Sequence, residues 1–267
     1  MTSLLETETP ADGRGARIAD DPVALRDPRR VRFFAWIMAR QMRGAFRAVR
    51  LLRPGLPALP DGPVVIYANH PGWWDPAFFI VLHDRLLGAR TAFGVMEAAA
   101  LDRYAFMKRI GLFGVEPGTR AGAARFLRVS DHVLSQPGAL IWMTAQGRFA
   151  DPRERPAALQ GGLPALMRRR PLTALPLALE YPFWSEKRPE ALAAFGAPVT
   201  DPDALAPALE AAQDRLAEAA LARDASRFED VMRGRQGQGG IYGAWQRARA
   251  LATGRRYDPS HLSDGTR

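Results

Sequence analysis

The segment Pro63–Leu87 changes character twice within a few turns of chain. Pro63-Val-Val-Ile-Tyr-Ala68 is apolar and rich in β-branched residues, the pattern of a short buried strand. Asn69-His70-Pro71-Gly72-Trp73-Trp74 then reads as a turn. Asp75-Pro76 opens a helix running through Leu87, with the aspartate placed to cap it and proline at its first position. Strand, loop and helix in that order build the mouth of an α/β site.

The same alternation continues downstream. Thr91 to Val95 reads as a second strand, followed by a helical stretch through Lys108 and a glycine-rich run from Gly111 to Gly118. Thr119 is placed to cap a helix carrying Ala123, Phe126, Leu127, Val129 and Val133. Leu140 to Met143 and Leu172 to Glu180 read as strands, and Pro189 to Val199 holds a shorter one. Ala204 to Arg223 is a helix, and Phe228 to Leu251 a further helical stretch interrupted between Gly234 and Gly240. The expected architecture is α/β, a mixed and mostly parallel sheet flanked by helices and preceded by an amphipathic helical segment.

That preceding segment carries eight arginines and no acid between Arg29 and Arg53. Phe34, Met38, Met42, Ala45, Val49 and Leu52 follow a helical spacing, with Arg40, Arg43, Arg47 and Arg50 mostly off that line. Such a helix suits an anionic membrane surface, where apolar side chains enter the headgroup boundary and arginines meet lipid charge. A core-packing helix with a solvated arginine face is the competing reading. Pro54 to Pro63 ends the segment. The expected organisation is a flexible terminus over 1–28, a membrane-associated helix over 29–56, an α/β domain over 57–253 and a flexible tail over 254–267.

Composition narrows the chemistry. The chain has no cysteine, which removes thiolate nucleophiles, disulfides and cysteine metal sites. Its net charge of +9 is almost entirely arginine, since Lys108 and Lys187 are the only lysines, and it is weak evidence for nucleic acid, which is not an expected partner. The first residues lack the basic start and apolar run of an export signal, and no apolar stretch approaches the length of a membrane span. The expected location is therefore peripheral, on the cytoplasmic face of the inner membrane.

Four histidines bound the search for a base: His70, His83, His132 and His261. His83-Asp84 and Asp131-His132 read as surface helix pairs, because no second pair stands at metal-ligand spacing, and no metal is expected. His70 and Asp75 form H-x-x-x-x-D at the mouth of a strand, where the Pro71-Gly72 turn folds the carboxylate back toward the imidazole. An aspartate accepting one ring N–H fixes the tautomer and frees the other nitrogen as a general base. Capping the helix is the competing role for Asp75.

The run Asn69-His70-Pro71-Gly72-Trp73-Trp74-Asp75-Pro76 resembles the N-H-x-x-x-x-D block of the glycerolipid acyltransferase superfamily, typified by 1-acylglycerol-3-phosphate acyltransferases. Further blocks keep the family's order: Gly111-Leu-Phe-Gly-Val115, then Ala145-Gln146-Gly147-Arg148, then Leu175-Pro176-Leu177-Ala178, then Phe195-Gly196-Ala197-Pro198-Val199. The resemblance spans about residues 60 to 200.

The resemblance implies that His70 deprotonates an acceptor hydroxyl, that Asp75 orients His70, and that the alkoxide attacks an acyl thioester directly. Donors near Gly147 would hold the oxyanion. It implies no cofactor, with acyl-CoA or acyl carrier protein as co-substrate, and a lipid acceptor such as a lysophospholipid, lysophosphatidate or a glycosylated lipid of the carotenoid glycoside kind. Asn69, Arg120, Gln146, Gly147, Arg148 and Arg155 are the expected substrate-binding residues. Two departures mark the chain: Gln146 stands where the family carries a glutamate, and Glu116 where it carries a phosphate-holding arginine, leaving Arg120 as the nearest base. A non-catalytic lipid-binding protein on the same fold is the alternative reading, motivated by Gln146. Gln146 itself reads either as a partner for a neutral hydroxyl or as a loop brace.

Overall fold

A computed structural model describes residues 18–234, 249 and 251–253. Its elements run α1 (Pro22–Leu25), α2 (Pro28–Ala45), β1 (Ala48–Leu52), β2 (Val64–Ala68), α3 (Asp75–Leu86), β3 (Thr91–Glu97), α4 (Ala98–Arg103), a 3-10 turn (Ala105–Ile110), β4 (Leu112–Val115), α5 (Arg120–Leu134), β5 (Ala139–Thr144), α6 (Gly162–Arg169), β6 (Thr173–Glu180), β7 (Ala191–Phe195), α7 (Leu205–Ala222) and β8 (Phe228–Arg233). The fold is α/β, with one eight-stranded sheet in the order β4-β3-β5-β2-β6-β7-β1-β8. The first five strands of that order are parallel; β7 runs antiparallel to β6, and β8 antiparallel to β1.

Alternating residues of the central strands feed two cores. Val64, Ile66, Leu140, Trp142, Leu175 and Leu177 pack with Met42 of α2 and with Phe78 and Leu82 of α3 on one face. Val65, Tyr67, Ile141, Met143 and Ala174 pack with Phe126 and Val129 of α5, Leu163 and Leu166 of α6, and Leu209 of α7 on the other. Both faces of β2 are covered, which is why every position is buried and nearly all are aliphatic. Tyr67 is the polar exception, and its hydroxyl donates to the Leu205 carbonyl at 2.8 Å.

The segments at 175–178 and 195–199 meet in this frame. Gly196 N–H donates to the Pro176 carbonyl at 2.9 Å, and a Cβ at Gly196 would come within 2.7 Å of the proline ring. The block at 111–115 becomes β4, entered through Gly111 at φ +94°. Thr119 caps α5 as its sequence predicts, its hydroxyl accepting from Gly122 N–H at 2.9 Å.

Four sequence expectations change. The helix expected over 29–56 ends at Ala45, and Ala48–Leu52 joins the sheet between β7 and β8 instead of extending the helix. Arg47 and Arg50, expected on a solvated face, are buried against Glu190: Arg47 Nη1 lies 3.2 Å and Arg50 Nε 3.1 Å from its carboxylate, with Asp230 2.7 Å from Arg50 Nη1. Their partner lies some 140 residues downstream, beyond the reach of any helical-period argument. Phe228–Arg233, expected as helix, is a strand because it closes the sheet antiparallel to β1. Residues 18–28 do not hang free of the domain: Asp27 N–H donates to the Arg109 carbonyl, Arg26 Nε to Ala92, and Lys108 pairs with Asp20 at 2.7 Å. Residues 1–17 and 254–267, expected as flexible termini, lie outside the described residues, as does His261.

No helix among the described residues is long and apolar enough to cross a membrane. The solvent face of α2 combines Arg29, Arg32, Arg40 and Arg43 with two exposed aromatic rings, Phe33 and Trp36, whose centroids are 6.2 Å apart. Its other face buries Ala35, Ala39 and Met42.

Candidate active site

Strand β2 lies between β5 and β6, and all three point the same way. The loops leaving their C-terminal ends therefore converge, one from each strand, and the candidate site is built from those three loops. Asn69 and His70 leave β2, Gln146 leaves β5 and Tyr181 leaves β6.

Asn69 is fully buried. Its side-chain oxygen accepts from Leu179 N–H at 2.8 Å, and its amide nitrogen donates to the Leu179 carbonyl at 3.0 Å. The side chain thus continues the β2–β6 ladder past the end of the strand. Its oxygen and its amide nitrogen both bond to Leu179 of β6, which gives Asn69 a structural role at the strand exit.

His70, the next residue, is held at three points. Its N–H donates to Gln146 Oε1 at 2.9 Å, its carbonyl accepts from Ala150 N–H at 3.0 Å, and its Nδ1 lies 2.5 Å from Asp75 Oδ2. With Nδ1–H donating to the carboxylate, the neutral ring carries its lone pair on Nε2, which has no protein partner among the described residues. The ring is partly exposed and sits with its centroid 4.4 Å from that of the exposed Phe149.

Asp75 is completely buried. It begins α3 rather than capping it; Trp74 occupies the cap position without a side-chain bond. The Asp75 carboxylate serves the site instead, accepting from Gly72 N–H at 3.2 Å and from the Tyr181 hydroxyl at 2.5 Å in addition to His70. The Pro71-Gly72 turn therefore does bring the carboxylate under the imidazole. Tyr181 is the site residue that sequence reasoning missed; its one local signal is its place at the exit of a strand. Burial, with the Asp75 carboxylate beside it, holds its phenol well above the ordinary value.

Gln146 is buried and its amide oxygen accepts from His70 N–H, so it braces the loop that carries His70, one of the two roles read for it from the sequence. Its amide nitrogen is buried without a partner. Gly147 adopts φ +65°, and a Cβ there would approach Gln160 Cγ to 2.9 Å, so the residue after Gln146 is required to be glycine. Gly147 N–H lies 3.4 Å from the Thr144 carbonyl, closing the turn.

The expected substrate-binding arginines are mostly engaged within the protein. Arg148 pairs with Glu154 and donates to the Phe149 carbonyl, and Arg153 pairs with Asp151 at 2.7 Å. Arg155 binds Asp214 at 2.6 Å and donates to the Pro152 and Glu154 carbonyls, tying the loop after β5 to α7. Arg120, at the start of α5, is exposed and makes no hydrogen bond or ion pair among the described residues. The arrangement brings His70, Asp75, Asn69, Gln146 and Gly147 together and places no contact between them and Arg120.

The other two histidines among the described residues have partners of their own. His83, expected on the surface, is buried: its Nε2 faces the Arg90 carbonyl at 3.1 Å and its Nδ1 the Trp142 indole N–H at 3.4 Å. Burial pushes it down to about 4, so it is neutral near pH 7. His132 pairs with Asp21 at 3.1 Å. Among the described residues no three His, Asp or Glu side chains gather as metal ligands. Of the two tryptophans in the turn, Trp74 packs edge-on against Phe46 and Trp73 is exposed.

Compared with known proteins, the chain matches no family model and no curated sequence.

Proposed function

We propose that the chain is an O-acyltransferase working at a membrane surface, with acyl-CoA or acyl carrier protein as donor and a lipid hydroxyl as acceptor. The observation that carries the proposal is the His70–Asp75 pair: a buried carboxylate on Nδ1, with Nε2 left open beside a partly exposed ring. The ordered block resemblance assigns that base to acyl transfer.

In the proposed reaction, His70 Nε2 takes the proton of the acceptor hydroxyl as its oxygen attacks the thioester carbonyl. The new C–O bond forms, the C–S bond breaks, and the proton passes from the imidazolium to the departing thiolate, giving ester and free thiol. Asp75 stabilises the imidazolium between those steps. No covalent acyl-enzyme is required, in keeping with a chain that has no cysteine.

The lipid-binding alternative rests on Gln146 standing where the resembling family has a carboxylate. Bracing the His70 N–H gives Gln146 a sufficient role that leaves the base and its aspartate intact, and this favours the enzymatic reading. The mixed arginine and aromatic face of α2 supports a peripheral position on anionic lipid, and no helix among the described residues is long and apolar enough to cross the bilayer.

The test is release of free thiol from palmitoyl-CoA and from a palmitoyl carrier protein, with lysophosphatidate, lysophospholipids or glycosylated lipids as acceptors. Acceptor-stimulated release that disappears in His70→Ala, with its far-UV circular dichroism unchanged, is the expected result. Wild-type turnover in that variant, or silence with every donor and acceptor while lipid is still bound, would overturn the proposal.

A further inference from the structure

We infer that Tyr181 is a third member of the site, a positioning residue that acts on His70 through Asp75. The inference rests on the acyl-transfer reading only for what the base is used for; the arrangement itself is geometric.

The Asp75 carboxylate has no exposure to solvent, so its two oxygens depend on protein donors. Oδ2 receives His70 Nδ1–H and Gly72 N–H, whereas Oδ1 receives only the Tyr181 hydroxyl, at 2.5 Å. Without that hydroxyl, Oδ1 is a buried anionic oxygen with nothing to satisfy it. The short distance on each side of the carboxylate makes Tyr181, Asp75 and His70 one linked chain of charge-assisted hydrogen bonds. Burial keeps the phenol a donor rather than a phenolate, as that chain requires.

Tyr181 is held for this task. Its ring lies 5.4 Å from that of Phe46, at the C-terminus of α2, and 6.0 Å from that of Phe78 in α3. The residue also follows directly on Leu179 and Glu180, the stretch that Asn69 ties to β2. One polar atom therefore separates two roles, because phenylalanine keeps the ring packing and removes only the hydroxyl.

The direction of the effect follows from charge. A donor on Oδ1 draws electron density from the carboxylate and moderates its pull on the imidazolium. Removing it leaves a more basic, less anchored carboxylate, so His70 keeps its proton to higher pH and is held less firmly in one orientation. The other ionisable groups on neighbouring elements are Glu180 at the end of β6 and, on the loop after β5, the pairs Arg148–Glu154 and Asp151–Arg153; none of them hydrogen-bonds His70 or Asp75.

The experiment follows the His70 ring by heteronuclear NMR in full-length protein labelled at histidine, without substrates, across a pH titration. The wild type is compared with Tyr181→Phe and with 3-fluorotyrosine placed at position 181, which is a stronger hydrogen-bond donor. We expect the His70 midpoint to move to higher pH in Tyr181→Phe and to lower pH with fluorotyrosine. In thiol-release assays, kcat of Tyr181→Phe should fall about tenfold, the size of effect typical for loss of an outer hydrogen bond on a functional group, with KM for the thioester nearly unchanged. A residue that only packs would leave the titration unmoved in both variants, and that result overturns the inference. If Tyr181→Phe fails to accumulate as folded protein, the fluorotyrosine arm decides alone. Because the titration needs no turnover, opposite shifts in a protein that consumes no thioester would sink the acyl-transfer reading and leave the three-residue chain standing.

Discussion

Replacing Asn69 by alanine removes the two hydrogen bonds that extend the β2–β6 ladder to Leu179. Both Leu179 groups then stay buried without a partner, at about 1–3 kcal/mol each, so a loss of about 3 kcal/mol is a conservative value. For a domain of this size each kcal/mol moves the melting temperature by about 2–4 °C, which places the variant roughly 6–12 °C below wild type. Asn69→Asp offers no rescue: it keeps an acceptor for Leu179 N–H but turns a second acceptor toward the Leu179 carbonyl. Thermal and urea unfolding, followed by circular dichroism and tryptophan fluorescence together, measure the change. A variant that melts within about 2 °C of wild type while its KM for the acceptor rises severalfold would refute the ladder reasoning and return Asn69 to the substrate.

Three further outcomes follow from buried charge and from the exposed face of α2. His83 is held near 4 when folded and near 6.5 when unfolded, so its contribution is fully present above about pH 6.5 and is lost as pH falls toward 4, roughly 3 kcal/mol in all; His83→Gln should flatten that part of the stability–pH curve relative to wild type, and parallel curves would refute it. Glu190→Leu removes the carboxylate shared by the buried Arg47 and Arg50, leaving Asp230 on Arg50, and should cost about 3 kcal/mol in urea unfolding; an unchanged midpoint would show that the remaining partners neutralise both guanidinium groups. Phe33→Ser with Trp36→Ser should weaken sedimentation with phosphatidylglycerol vesicles at least about tenfold without lowering the melting temperature, since both rings are already solvent-exposed; undiminished binding would remove α2 as the contact surface.

The sheet was legible because each central strand announces itself by a run of apolar residues, and the dyad because its two members lie five positions apart on one turn. What stayed hidden was every role set by a strand neighbour distant in sequence. Leu179 as the partner of Asn69 could not be read from the sequence, and for Gln146 the sequence offered a loop brace without naming His70 N–H as what it braces. Arg50 followed a helical arginine pattern, yet Glu190 and Asp230 make it a strand residue with a buried charge. Phe228–Arg233 carries too few apolar positions to declare an antiparallel edge strand, and its identity depends on β1 being there to pair with. Tyr181 offered no pattern at all, since a lone tyrosine after a strand is common and only the parallel run of β2 and β6 turns it toward Asp75.

The insertion of β2 between β5 and β6 also sets when the base can come into being. During synthesis, His70 emerges long before Gln146, and Asp75 precedes Tyr181 by 106 positions. A nascent chain that has reached α3 holds the histidine, the aspartate and Gly72 but lacks Gln146, Ala150 and Tyr181, the distant partners that complete their fixing, and β2 lacks its neighbours β5 and β6 until residues near 180 are available. Contacts so far apart in sequence close late and slowly. Shortened or interrupted chains would thus carry the motif without the geometry, and the linked arrangement of His70, Asp75 and Tyr181 would form only with the last of the three central strands.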